Sequence, residues 1–190
     1  MIKGGDTISF SKYKDNFFSE VGLVKGFENG VEKDFETTVS KVIVEIGKAR
    51  TNKRNVFIIG NGASATMASH VAVDFWKNLK IKAQLFTDSA SLTAVGNDIS
   101  FTESFSEPLK LYGTPDDLLI SISSSGDSPN IVNGIGIAHQ KRLITISLTG
   151  MKKSNEANSL SRYSLYYPGQ TYGSVESAHA LILHYIIDSL

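Results

Sequence analysis

The sequence predicts an α/β fold in one domain: a mostly parallel sheet with helices on both faces, entered through two N-terminal helices and closed by a long C-terminal helix. Three observations predict it. From residue 55 onward, short apolar runs of strand length alternate with helix-length segments, the pattern of βαβ units. The length of 190 residues suits one globular domain better than two. The texture changes once, across a basic, polar stretch near residues 48–55, which separates an N-terminal part (1–54) from an α/β core (55–190) with no internal repeat.

Taken in order, residues 11–50 place Phe17, Phe18, Val21, Val24 and Phe27, then Val39, Val42, Ile43 and Ile46, at three- and four-residue spacings among Lys and Glu. That period describes two amphipathic helices, with Gly26 and Gly30 marking the break between them. Such helices carry more apolar positions than one sheet face covers, so they are expected to make oligomer contacts. Buried strands are predicted at Val56–Ile59, Ala83–Phe86, Leu118–Ser121 and Leu143–Leu148, and a long helix from Val175 to Leu190.

Composition excludes several functions. Nineteen Lys and Arg balance nineteen Asp and Glu, with no run of five or six like charges, so the basic footprint of a nucleic-acid binder is missing. The absence of cysteine removes disulfides, thiolate metal sites and thiol nucleophiles, leaving any metal to oxygen ligands and four histidines. No apolar stretch is long enough to span a bilayer, and the start lacks the apolar core of a secretory signal. A cytoplasmic address with no membrane partner is expected.

Two loops that follow predicted strands carry chemistry. In Gly60-Asn61-Gly62-Ala63-Ser64-Ala65 a strand runs through a glycine turn into a helix, presenting backbone N–H groups and a positive helix end to an anion. The same string fits a loose G-x-G-x-x-A dinucleotide fingerprint with Asp88 as the ribose acid, or a tight turn with no ligand. In Ser123-Ser124-Ser125-Gly126-Asp127-Ser128-Pro129-Asn130, helix capping accounts for Ser128 and Pro129. It does not account for three more serines at the carboxyl end of a buried strand, where open α/β sheets bind ligands. Several hydroxyls and free amides can hold a monophosphate without Lys or Arg, and a second phosphate seat weakens the dinucleotide reading.

His70 and Asp74, one helical turn apart, can share a metal or divide acid and base work. Glu176, His179 and His184 lie along the last helix. A single Glu-x-x-His pair, Glu176 with His179, is one too few for a di-iron bundle. His139, beside Lys141, reads as a packed histidine.

With these strings in place the chain resembles the sedoheptulose 7-phosphate isomerase (phosphoheptose isomerase) family of the sugar isomerase (SIS) fold. The likeness is carried by the glycine turn with His70 and Asp74, by Thr93-Ala94-Val95-Gly96-Asn97-Asp98, by the serine loop, and by Glu176 through His184. It implies a five-stranded parallel sheet flanked by helices and a homotetramer with active sites at subunit contacts. It also implies a phosphate held by Ser123, Ser124, Ser125 and Ser128, with sugar contacts from Asn61, Gly62, Ser64, Asn97, Asp98 and Glu176. The family's zinc positions map onto His70, Asp74, Glu176 and His184. Asp74 stands where Glu is commoner and Glu176 where Gln is commoner, so two carboxylates would neutralise Zn²⁺. Asn78 and Gly173-Ser174 replace charged residues of the family pattern. The implied reaction moves a proton between C1 and C2 of a sugar phosphate through an enediolate, with Asp74 as base and His184 as its acid–base partner. Relatives of this fold also include non-catalytic proteins that sense sugar phosphates or bind a replication initiator, which would not need His70, Asp74, Glu176 and His184 together.

Overall fold

The computed structural model describes residues 8–190. The first seven positions of the predicted N-terminal part lie outside these residues. Helix α1 (Phe10–Val21) starts at Ser9, whose hydroxyl accepts from Lys12 N–H, and buries none of its residues. The next segment departs from the predicted pair of helices. Lys25–Glu28 (β1) and Val31–Lys33 (β2) form an antiparallel hairpin. The Asn29-Gly30 turn between them has positive φ at both residues, 51° and 75°, the type I′ geometry that this dipeptide favours. Gly26 lies in β1 because it packs where a Cβ would meet Thr38 Oγ1 at 2.0 Å. Asp34 then caps α2 (Phe35–Thr51), which buries Val39, Val42, Ile46 and Ala49.

The core alternates strand and helix, with one strand, β7, that the apolar runs did not mark: β3 (Asn55–Gly60), α3 (Ala63–Lys77), β4 (Lys82–Gln84), α4 (Ser89–Val95), α5 (Ser106–Tyr112), β5 (Leu118–Ser123), α6 (Pro129–Gln140), β6 (Ile144–Gly150), α7 (Glu156–Leu160), β7 (Tyr163–Tyr167) and α8 (Tyr172–Asp188). The sheet order is β2-β1-β7-β6-β5-β3-β4. The five strands β7-β6-β5-β3-β4 are parallel, whereas β1 pairs antiparallel with β7. The sheet is therefore mixed and seven-stranded rather than five-stranded and parallel, because the hairpin covers the β7 edge that would otherwise present unpaired backbone.

Strand β3 shows why both faces are covered. Val56 and Ile58 point into a core shared with α2, α3 and α8, while Phe57 and Ile59 point into a second core with α5, α6 and α7. All four side chains are fully buried, and each such burial contributes about 1.5–3 kcal/mol before the entropy of ordering is counted. The chain runs outward from β3 to β4 on one side and from β5 through β6 to β7 on the other, so the topological switch lies between β3 and β5. The glycine turn and the serine loop both leave the sheet at that point. Among the described residues no helix is long and apolar enough to cross a membrane.

Candidate active site

The glycine turn is built by close approach. A Cβ on Gly60 would stand 2.7 Å from the backbone of Ser64, and Gly62 adopts φ 54°, ψ −124° at the cap of α3, a region essentially reserved for glycine. Asn61, between them, is held at the mouth of a cleft.

The facing wall is the serine loop. Gly126 N–H donates to Ser123 Oγ at 3.1 Å and Asp127 N–H donates to Ser125 Oγ at 3.2 Å. A hydroxyl that accepts from the backbone keeps its own proton to donate. Ser128 takes the cap position of α6, yet its side chain makes no capping bond, so that hydroxyl too is available. The loop is braced from outside: Gly126, at φ 70°, packs against Asn155, and Glu156 N–H donates to Asp127 Oδ1 at 2.9 Å. The resulting cleft, about 180 Å³, is lined by Asn61, Ser64, the four serines of the loop, Tyr172 and Glu176, with no Lys or Arg among the lining residues. Hydroxyl protons beside the start of α6 can thus be offered to an anion.

A second group stands on the outer face of α3 and α8. His70 Nε2 is 3.4 Å from Asp74 Oδ2, the His70 and His184 rings are 5.5 Å apart, centroid to centroid, and ligand atoms of His70, Asp74 and His184 all lie within 4.8 Å of one another. Asn78 Nδ2 donates to the other Asp74 oxygen at 3.0 Å, which fixes the carboxylate and leaves Oδ2 toward the imidazoles. Two imidazoles and one carboxylate form a donor set suited to Zn²⁺ with coordination positions left over.

The structure does not bring every predicted residue together. Glu176 is outside the three-residue group and lines the serine cleft instead. The reason is helix geometry: eight residues at 1.5 Å rise place Glu176 and His184 about 12 Å apart along α8. The predicted four-ligand set is thus three within one chain. Asn97 and Asp98 sit on an exposed π-helical turn, Gly96–Ser100, bonded to each other at 2.7 Å and away from the cleft lining. Gly62 shapes the turn rather than lining the cleft. Asp88 caps α4 by accepting from Ser91 N–H at 2.9 Å, which removes it as a ribose ligand and with it the dinucleotide reading. His139 bonds the Leu160 carbonyl at 2.6 Å, a packing role. Tyr172 and Asn130 were not singled out from the sequence; Asn130 looks there like an ordinary first-turn residue of a helix, and only the tertiary contact described below distinguishes it.

A hydroxyl-lined cleft at the switch point of the parallel strands suits a sugar-isomerase-type domain, and the family model "SIS domain" matches residues 26–150. Among curated relatives, the phosphoheptose isomerase of Fusobacterium nucleatum is 31% identical over 185 residues, covering 95% of this chain and 92% of the relative. Among solved structures, a phosphoheptose isomerase from Francisella tularensis superimposes with a TM-score of 0.80 at 24% identity, covering 96% of this chain and 97% of that one. One from Neisseria gonorrhoeae gives 0.75 at 26% identity, covering 95% and 99%. The chain belongs to the phosphoheptose isomerase family of SIS-domain proteins.

Proposed function

We propose that this chain is an aldose–ketose isomerase that interconverts sedoheptulose 7-phosphate and D-glycero-D-manno-heptose 7-phosphate. One observation carries the reading: an acid–base group of His70, Asp74 and His184 shares a domain with a hydroxyl-built anion cleft, in a chain 31% identical to a phosphoheptose isomerase over 95% of its length. A non-catalytic sugar-phosphate sensor would need the cleft and would leave the acid–base group without a task.

The serine loop takes the phosphate through the hydroxyl protons of Ser123, Ser124, Ser125 and Ser128, at the positive end of α6. Binding energy gathered there, far from C1 and C2, positions the reacting carbons. Asn61, Ser64 and Glu176 contact sugar hydroxyls from the cleft wall, and Asn97 and Asp98, which do not line the cleft, take the part of the sugar that extends beyond it. Asp74 removes a proton from C1 of the ketose. The C–H electron pair forms the C1–C2 double bond, and the C2 oxygen becomes the enediolate oxygen. His184 protonates the C2 oxygen and then takes the proton of the C1 hydroxyl; the O–H pair forms the C1 carbonyl, and the C1–C2 double-bond pair takes back at C2 the proton held by Asp74. Zn²⁺ fits the donor set of His70, Asp74 and His184 and there would supply Lewis-acid stabilisation of the oxyanion. A ligand role and a proton-transfer role compete for Asp74 and His184, so the acid–base steps need the metal displaced or shared as substrate binds, or absent.

The His70–Asp74–His184 group is exposed on a face that also shows Val73 at 41%, Leu181 at 48% and Tyr185 at 45% exposure. We assign this face to contact between copies of the chain, most simply a homotetramer, which would cover the group and bring a neighbouring cleft to it. The deciding experiment for the activity is NMR of purified protein with sedoheptulose 7-phosphate. An aldoheptose phosphate anomeric signal is expected, and an unchanged ketose spectrum rejects the isomerase reading.

A further inference from the structure

Asn130, the second residue of α6 and 2% exposed, forms a reciprocal amide pair with Asn61. Asn61 Nδ2 donates to Asn130 Oδ1 at 2.9 Å, and Asn130 Nδ2 donates to Asn61 Oδ1 at 2.9 Å. The remaining capacity of Asn130 is also engaged. Its Nδ2 donates to Ser104 Oγ at 3.3 Å and its Oδ1 accepts from Ile131 N–H at 3.1 Å. Ser104 is itself 2% exposed and lies on the segment that follows the turn bearing Asn97 and Asp98. One buried side chain therefore ties together the glycine turn, the start of α6 and the segment before α5.

The pair has a defined sense. Ile131 N–H is shared between the Ser128 carbonyl at 3.0 Å and Asn130 Oδ1; a backbone N–H can only donate, so an inverted Asn130 amide would set NH₂ against N–H. With Asn130 so oriented, Asn61 must turn its nitrogen toward Asn130 Oδ1. In a reciprocal pair each amide uses one N–H and one lone pair, which leaves Asn61 with one N–H and one carbonyl lone pair. Asn61 has no other side-chain partner among the described residues and lines the cleft, so both remaining groups are available to a ligand there. We propose that Asn130 is a positioning residue that fixes the amide of Asn61, so that the cleft offers a sugar hydroxyl one donor and one acceptor in set places. The choice of sugar phosphate as ligand rests on the isomerase reading, but the coupling of the two amides does not.

The test is a double-mutant cycle on the full chain with Asn61→Ala, Asn130→Ala and the double variant, using sedoheptulose 7-phosphate as substrate and inorganic phosphate as a competitive probe of the serine loop. Asn130→Ala is expected to lower kcat/KM about tenfold, the scale of one lost hydrogen bond, and to cost nothing more once Asn61 is Ala. The inhibition constant of phosphate should stay within about twofold of the unmutated protein, since an intact loop keeps its hydrogen bonds. Asn130→Asp keeps the volume but turns a carboxylate oxygen toward Asn61 Oδ1, so it should be worse than Ala. Additive losses, or phosphate binding that weakens in step with turnover, would overturn the proposal, the second by making Asn130 a general support of the loop. A ligand-free readout separates this from the isomerase reading: of the two Asn61 side-chain amide protons, the one bonded to Asn130 Oδ1 should exchange slowly with solvent by NMR, and rapidly in Asn130→Ala. Equal exchange in both proteins overturns the positioning role, whereas absent turnover with unequal exchange overturns the isomerase reading alone.

Discussion

At the scale of single residues, Ser125 Oγ accepts from the Asp127 N–H and Ser128 Oγ makes no capping bond, so on the proposed reading each has its proton to donate to the phosphate. Ser125 and Ser128 should therefore matter to binding more than to the chemical step. Replacing both with Ala removes two bonds to a charged group, each worth about 1.5–3 kcal/mol. The expected result is a KM raised by at least about 100-fold with kcat changed far less, read from steady-state kinetics. An unchanged KM would move the phosphate elsewhere. His184 has the opposite signature. His184→Gln should lower kcat by about 100-fold or more, the usual size of a general acid–base contribution, and should weaken zinc retention measured by elemental analysis, with circular dichroism unchanged. Full activity in this variant would remove His184 from the mechanism.

At the scale of elements, α8 carries residues of both sites and is held against the sheet by His179. This imidazole is fully buried, and its Nε2 bonds the Thr149 carbonyl at 3.1 Å. Its Nδ1 has no partner among the described residues. Burial pushes its pKa down to about 4, against a smaller upward pull from the Thr149 carbonyl. Between pH 6.5, near the ordinary value for histidine, and about 4, the unfolded chain binds a proton that the folded chain refuses. Stability from this group is present in full above pH 6.5 and is lost as pH falls toward 4, by about 3 kcal/mol in all. Urea midpoints at pH 7 and pH 4.5 should fall further for the unmutated protein than for His179→Leu. Equal falls would show that His179 is protonated in the fold. The hairpin is the other instructive element: β1 and β2 exist because β7 has an edge to cover, and Asn29-Gly30 supplies the turn.

At the scale of the whole molecule, the exposed apolar surface is too broad for the sheet to bury. Helix α1 buries nothing while showing Phe10 at 81% and Phe18 at 63% exposure, and Trp76 at 54% adds to the α3 face. Apolar area of this kind is normally covered by a partner. Light scattering at micromolar concentration is expected to give a tetramer, and a mass of 20.6 kDa, that of one chain, would contradict both the oligomer and the shared site. The same measurement on Leu181→Asp with Tyr185→Asp should show dissociation with the monomer still folded. Activity surviving in such a monomer would mean that one chain holds a complete site.

What the sequence determined by itself was whatever depends on local spacing. The α/β class, the glycine turn, the serine loop and the one-turn pairing of His70 with Asp74 are all set by neighbours in the chain, whose periods of two and 3.6 residues are readable without a structure. Even there, Asn29-Gly30 was legible as a hairpin turn and Tyr163–Tyr167 as an aromatic strand ahead of Pro168. The helical period of the flanking residues hid the first, and the tyrosines' polar tips masked the second. Tertiary structure alone decided the rest. It placed His184 beside His70, sent Glu176 to the serine cleft, left Ser128 without a capping bond, and joined Asn130 to Asn61. Each of these depends on how α3, α6 and α8 pack across two faces of one sheet. Distances between helices come from the volumes buried beneath them, which no spacing along a single helix encodes.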